Sequence, residues 1–465
     1  MGSPCRRFIS SVKRSPGIST FGPSGECCNV EWWVTLGGTL ALLLGLFLTG
    51  VPIFVAFLIV NVGGVLLLMG PSGFGMFTNS VFETATTSSL ATIALFILMG
   101  ELLFRSGTID VVFDSVDKLV GRLKGRQYLL SVSLSTILGA LSGSALGVSA
   151  MMARTLYRTM VGRGYDGRLS CGTILAGASL APIIPPSLLV IIIGTLANVS
   201  IAKLLLAGLL PGLLLAAVFA AYALFRVHLN PDLAPPDTGG ASVVSFREKL
   251  RAALRLGPFS VIMFSVMGFI LLGIATPSEA AATGVAGTLL TAAYYRKLNW
   301  RMVWNSLVSA AGISSMILLI MASSAMFSQL LAFTGTTTNL VEFVAALDLP
   351  GPVMLFVLML VPFLLCMFID QIALLLILIP IYQPILTSYG FDPIWFWTLM
   401  LINVTIGGMT PPFGYTMFAF KGGAGSDISI NAIYRASWPF VGLFVLTLIL
   451  LAALPGLVLF LPAML

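Results

Sequence analysis

Two double prolines, in Ile183-Ile184-Pro185-Pro186-Ser187 and in Met409-Thr410-Pro411-Pro412-Phe413-Gly414, each interrupt an apolar run long enough to cross a bilayer. A proline pair removes backbone donors and ends a helix. In hydrocarbon, the freed backbone groups are tolerated only against protein or a polar cavity. Half-helix ends and freed carbonyls at bilayer depth are also what many transporters use to hold ions and anions. The pattern therefore points to a membrane transporter.

The rest of the chain agrees. Of its 465 residues 58% are hydrophobic and 9% charged, too little polar surface for a water-soluble protein of this length. The apolar runs are about 20 residues long and separated by short charged loops, which predicts α-helices and not the alternating strands of an outer-membrane barrel. The formal net charge of +7 sits in those short loops, where it sets orientation, so no nucleic-acid partner is expected. Cys5, Cys27, Cys28, Cys171 and Cys366 have no metal-ligand spacing, and His228 is the single histidine. Residues 1–31 are polar, rich in Ser, Pro, Gly and Arg, and read as a disordered extension.

About ten segments read as transmembrane spans, and two further runs do not. Residues 127–153 carry Lys118, Arg122, Lys124 and Arg126 before them and Arg154, Arg158, Arg163 and Arg168 after them, with a small-residue cluster from Gly139 to Gly147 midway. Basic flanks on both sides call for the cytoplasm, so this run is a re-entrant hairpin. Residues 352–386 have Asp370-Gln371 midway and no nearby Lys or Arg, a second hairpin entering from outside. Alternation then places nearly all Lys and Arg inside, the exceptions being Lys203 and the tail residues Arg6, Arg7, Lys13 and Arg14. Pro185 and Pro411, Ser144 and Asp370, Pro52 and Pro277, Gly107 and Gly335, and Ser200 and Ser429 pair at an offset of about 226 residues. The expected organisation is an inverted repeat. The first half is 32–226 (hairpin 127–153, broken helix 173–196) and the second 257–465 (hairpin 352–386, broken helix 394–420), joined by a cytoplasmic linker, 227–256. Residues 109–123 and 337–347 read as interfacial helices beside the hairpins.

Asp370 is the strongest candidate for chemistry, because a carboxylate deep in a membrane is costly unless it binds something. Its alternative role is an N-cap, and the two can coexist. Ser142 and Ser144 supply neutral oxygens at the symmetric tip. Each tip with its broken helix offers a cation cage, Ser142 to Ser144 with Ala181 to Pro186, and Asp370 with Met409 to Gly414. The half-helix ends between them favour an anionic substrate, with Ser142, Gly143, Ser187, Gln371, Thr410 and Pro411 as candidate contacts. Asn403 and Thr405 add hydrogen-bonding capacity, though bonds between helices suit them better. Glu279 after Thr276-Pro277-Ser278 fits a capping box. No nucleotide motif, catalytic dyad or cofactor fingerprint appears, so no enzyme activity and no cofactor are expected, and an ion gradient or a partner must supply the energy.

These stretches, "GALSGSALGVSAMM", "LSCGTILAGASLAPIIPPSLLVIIIGTLANVS", "GIATPSEAAATGV", "FIDQIALLLILIPI" and "NVTIGGMTPPFGYTMFAFKG", resemble the large membrane subunit (DctM-like permease) of the tripartite ATP-independent periplasmic, or TRAP, transporters. The resemblance runs from about Leu36 to the C-terminus and implies an all-α, elevator-type importer in the bacterial cytoplasmic (inner) membrane, with Na+ as coupling ion. It further implies a periplasmic substrate-binding protein and a small four-helix membrane subunit as partners, with an organic anion such as a dicarboxylate or sugar acid as substrate. Sodium is implied at Ser142 and Ser144 with Ala181, Ile184 and Pro186, and at Asp370 with Met409 and Gly414. Ala181-Pro182 stands where the family usually has Gly-Ile, which bears on the affinity and occupancy of the first site. The alternatives are a stand-alone sodium-coupled dicarboxylate carrier of related architecture and, more remotely, a membrane-embedded enzyme or receptor.

Overall fold

The computed structural model describes residues 32–69, 73–87, 89–106, 109–120, 124–235 and 246–465. The expected extension at 1–31, the middle of the linker and Gly107 lie outside the described residues. Within them every regular element is helical.

The first part of the chain forms α1 (Trp32–Leu48), α2 (Ile53–Gly64), α3 (Phe74–Thr86), α4 (Ser89–Arg105) and α5 (Ile109–Val120). The first hairpin follows as α6 (Arg126–Ser142) and α7 (Ala145–Met152), the latter continued by a π turn (Ala153–Tyr157) and α8 (Arg158–Gly162). The returning arm thus runs past Arg154 and Arg158, beyond the expected hairpin end. Arginine is a good helix former and its head can reach water from a long stem. The first broken helix is α9 (Gly167–Ala178) and α10 (Leu188–Leu196), followed by the long α11 (Ile201–Leu229). After the linker come α12 (Phe246–Leu271), α13 (Pro277–Tyr294), α14 (Trp300–Phe333) and α15 (Thr336–Ala346). The second hairpin is α16 (Gly351–Leu365) and α17 (Gln371–Tyr389), and the second broken helix is α18 (Pro393–Gly407) and α19 (Tyr415–Ala424). The chain closes with α20 (Ile430–Ala453) and α21 (Pro455–Leu459). Hairpin, broken helix and long helix therefore occur twice in the same order.

Matching residues start matching elements. Asp166 and Asp392 cap α9 and α18, accepting from Leu169 N at 2.7 Å and Trp395 N at 2.9 Å. Ser200 and Ser429 cap α11 and α20, accepting from Lys203 N and Ala432 N. Each such cap satisfies a backbone donor that the helix itself cannot. At α13, Thr276 and Glu279 form the reciprocal capping box expected from the sequence.

Among the described residues, five helices, α11, α12, α14, α17 and α20, are long and apolar enough to cross a membrane by length and composition, or six if α3 and α4 form one bent span. The other segments read as spans are shorter or broken: α1, α2 and α18 have 17, 12 and 15 residues. One of the five, α17, is an arm of the second hairpin. The apolar surface is distributed as a bilayer requires. Phe264, Trp304, Leu446 and Leu290 are exposed on α12, α14, α20 and α13, whereas α9 is buried continuously from Leu169 to Ala178 and α18 from Trp395 to Gly407. A helix apolar on all sides belongs at the centre, so the first half of each broken helix forms the core.

Candidate functional site

The hairpins lie against the broken helices in a crossed arrangement. The outgoing arm α6 follows α9, where Ser131 Oγ donates to Thr173 Oγ1 at 2.6 Å. The outgoing arm α16 follows α18, where Asn403 Nδ2 donates to Met359 O at 2.7 Å and Cys366 Sγ to Val404 O at 3.3 Å. The second half of each broken helix packs on the other hairpin, α10 against α17 and α19 against α7. The α19 contact is sealed by an edge-on ring pair, Tyr157 with Phe420, at 5.1 Å. Both hairpin tips and both breaks are thereby brought to one place.

A cavity of about 130 Å³ lies there, lined by Gly143, Ser144, Pro182, Asp370, Gln371 and Tyr415, with apolar side chains of α7, α10 and α17. The tips are helix starts. Gly143 turns the first with φ +64°, a left-handed conformation that glycine adopts without strain, and Ser144 caps α7, its Oγ accepting from Gly147 N at 3.1 Å. Asp370 caps α17, accepting from Ile372 N at 3.0 Å, so the capping role is present. Two helix N-termini, each carrying a partial positive charge, thus open on the cavity. Asp370 is its one acidic side chain, and no Lys, Arg or His lines it.

The breaks present carbonyls to the surrounding protein. Pro185-Pro186 and Pro411-Pro412 are both cis. Among the described residues, the carbonyls of Ala181, Ile184, Pro186 and Met409 accept no hydrogen bond, although all four residues are buried. Buried carbonyls are nearly always paired, and a cation is one partner that pairs several at once. Gly414 O differs, receiving Met417 N at 2.8 Å and Phe418 N at 3.4 Å as α19 begins. The Ala181 methyl is accommodated by the facing hairpin. Residue 139 is glycine, and a Cβ built there would lie 2.9 Å from Ala181 Cβ.

Four of the residues singled out from the sequence, Gly143, Ser144, Asp370 and Gln371, line the cavity, and Ser142 adjoins it at the end of α6. Ala181, Ile184, Pro186, Met409 and Gly414 lie in the breaks and are not among its walls. Ser187, Thr410 and Pro411 are not among its walls. Ser187 is 1% exposed, donates to Pro182 O and accepts from Val190 N; Thr410 Oγ1 donates to Ile406 O at 2.7 Å. Asn403 joins two helices, and Thr405 bonds its own helix at Leu401 O. Pro182, singled out in the sequence as part of the first break, is also a wall, and Tyr415 is a wall that the sequence did not single out. The signal for Tyr415 is its place as the first helical residue after the second break.

Comparison with known proteins bears on the whole chain. Residues 40–457 match the family described as tripartite ATP-independent periplasmic transporter, DctM component. The C4-dicarboxylate TRAP transporter large permease protein DctM of Pseudomonas aeruginosa is 28% identical over 85% of this chain and 91% of its own length. The ectoine/5-hydroxyectoine TRAP transporter large permease protein UehC of Ruegeria pomeroyi is 30% identical over 71% of this chain and 76% of its own. Among solved structures, the YdaH transporter of Alcanivorax borkumensis superposes with a TM-score of 0.59 at 15% identity, covering 83% of this chain and 90% of that one, a likeness of fold.

Proposed function

The chain belongs to the tripartite ATP-independent periplasmic transporters as a DctM component, a multi-pass large permease of the inner membrane, and from that membership we propose a sodium-driven importer of small organic anions. The relatives' names span dicarboxylates and ectoines, so the substrate class proposed is a small carboxylate. It arrives on a periplasmic binding protein, and a small four-helix membrane subunit steadies the scaffold. Sodium sits at two places, Ser142 and Ser144 with the carbonyls of Ala181, Ile184 and Pro186, and Asp370 with Met409 and Gly414. The observation that carries the reading is the meeting of both hairpin tips, the first break and the start of α19 at one cavity whose single charged side chain is Asp370. A carboxylate beside a cage of carbonyls suits a monovalent cation, and two helix N-termini suit an anion next to it. The hairpins and broken helices move together against the remaining helices as an elevator, carrying the cavity from one side to the other.

Reconstitution tests this. Proteoliposomes holding this chain and its small subunit should take up organic anions only with an inward sodium gradient and the binding protein outside. Uptake without the binding protein would identify a stand-alone carrier, and no uptake of any organic anion would overturn the reading.

A further inference from the structure

The two runs of hairpin, broken helix and long helix differ in one seam. In the first, the outgoing arm α6 packs directly on the long helix α11, and Tyr128, Leu130, Leu134 and Leu138 are buried along it. The corresponding helices of the second run, α16 and α20, are parted by a groove of about 620 Å³ whose floor includes Trp395, Leu399 and Asn403 of α18. The polar groups of that floor are already engaged: Asn403 Nδ2 donates to Met359 O at 2.7 Å and Trp395 Nε1 to Leu451 O at 3.2 Å. An apolar space does not hold water, and left empty it forfeits the contacts of the side chains along it. On a chain that spans a membrane this space opens to hydrocarbon, because Phe356 and Ile449 on its two edges are 63% and 60% exposed.

The groove is one leaflet long. Its wall on α16 runs from Gly351 to Phe363, about 18 Å at 1.5 Å per residue, and half of the hydrocarbon core is about 15 Å. One end lies where α16 begins and α20 finishes, the outer side in the orientation that the Lys and Arg residues imply. The rim there is acidic. Asp392 follows the wall residue Phe391, Asp348 shortly precedes the wall residue Gly351, and both are exposed. No Lys or Arg occurs between Arg301 and Lys421 or after Arg435, and Lys203, the other base of that side among the described residues, pairs with neither aspartate. The geometry points to a resident phospholipid. One acyl chain fills the groove in place of the missing helix contact, and the headgroup carries an ammonium that meets Asp348 and Asp392. That chemistry selects phosphatidylethanolamine over phosphatidylglycerol. The lipid buttresses α16, the arm that leads to the Asp370 tip; neither sodium nor substrate takes part.

The test places the full chain in nanodiscs of phosphatidylethanolamine and phosphatidylglycerol with brominated acyl chains. The fluorescence that Trp395→Phe removes should be quenched, and Ala452→Phe, which fills the groove from α20, should relieve the quenching. Native mass spectrometry of wild type in mild detergent should show one retained phospholipid, the ethanolamine headgroup favoured about three- to fivefold over glycerol. Asp348→Asn with Asp392→Asn, in which asparagine keeps the α18 cap, should retain the lipid and lose the preference. Unquenched Trp395, quenching unchanged in Ala452→Phe, no retained phospholipid, no headgroup preference, or a preference that survives the double change would each overturn the inference. So would loss of Trp395 quenching when the small subunit is added, which would give the groove to that protein.

Discussion

Replacing Asp370 by asparagine and by alanine separates its two roles. As the cap of α17 its side chain accepts from Ile372 N at 3.0 Å; losing such a cap costs about 1 kcal/mol. Asparagine caps nearly as well as aspartate, so Asp370→Asn keeps that contribution and removes only the charge. The charge is expected to matter when sodium is present. At sodium concentrations of about ten times Kd, one bound ion stabilises the folded chain by about 1.4 kcal/mol, and at a hundredfold by about 2.7 kcal/mol. Thermal unfolding in potassium should therefore show wild type and Asp370→Asn together, with Asp370→Ala below both. On exchange to sodium at equal ionic strength, wild type should gain the contributions of two ions. Both variants should gain only that of the first site, and both should lose sodium-driven uptake. A full sodium response in Asp370→Asn would refute the placement of a cation at this carboxylate.

Gly139→Ala should destabilise by about 1–3 kcal/mol through overpacking, because its new methyl meets Ala181 Cβ at 2.9 Å. The double change Gly139→Ala with Ala181→Gly should recover most of the loss, whereas Gly442→Ala, with nothing within 4 Å, should be neutral; thermal unfolding of the three decides it. The proposed orientation predicts that Lys203→Cys is labelled by an impermeant maleimide from outside and Lys297→Cys only from inside, in a background with Cys5, Cys27 and Cys28 changed to serine. Labelling of both from one face would break the alternation of spans.

The breaks and tips were readable because their chemistry is obligatory. A double proline must free backbone groups, and a carboxylate between two apolar arms must find partners. Asp166 and Asp392 were also open to such a reading, since both precede a helix start. The walls of the cavity were harder. Leu188 and Leu189 look like any apolar residues near a break, and only the crossed packing brings α10 beside the second tip. Ser187 and Thr410 misled in the opposite sense, because short hydroxyl side chains readily bond nearby backbone instead of a ligand. Helix α3 was missed since Asn79, Glu83 and four threonines or serines, Thr78, Ser80, Thr84 and Thr86, interrupt its apolar face. The continuation of the first hairpin to Gly162 was hidden by arginines that read as loop.

The crossed packing also sets a schedule for biogenesis. α7 is made early, yet the surface that α19 covers stays bare until nearly the whole chain has been synthesised. The Tyr157 and Phe420 contact and the Arg158 to Asp427 ion pair at 3.0 Å both join residues of the first hairpin's returning arm to partners made near the end. Until then α7 and the π turn must be sheltered by lipid or by the insertion machinery. A ribosome stalled after α18 would leave a first half that is inserted but unclosed, a ready substrate for membrane quality control.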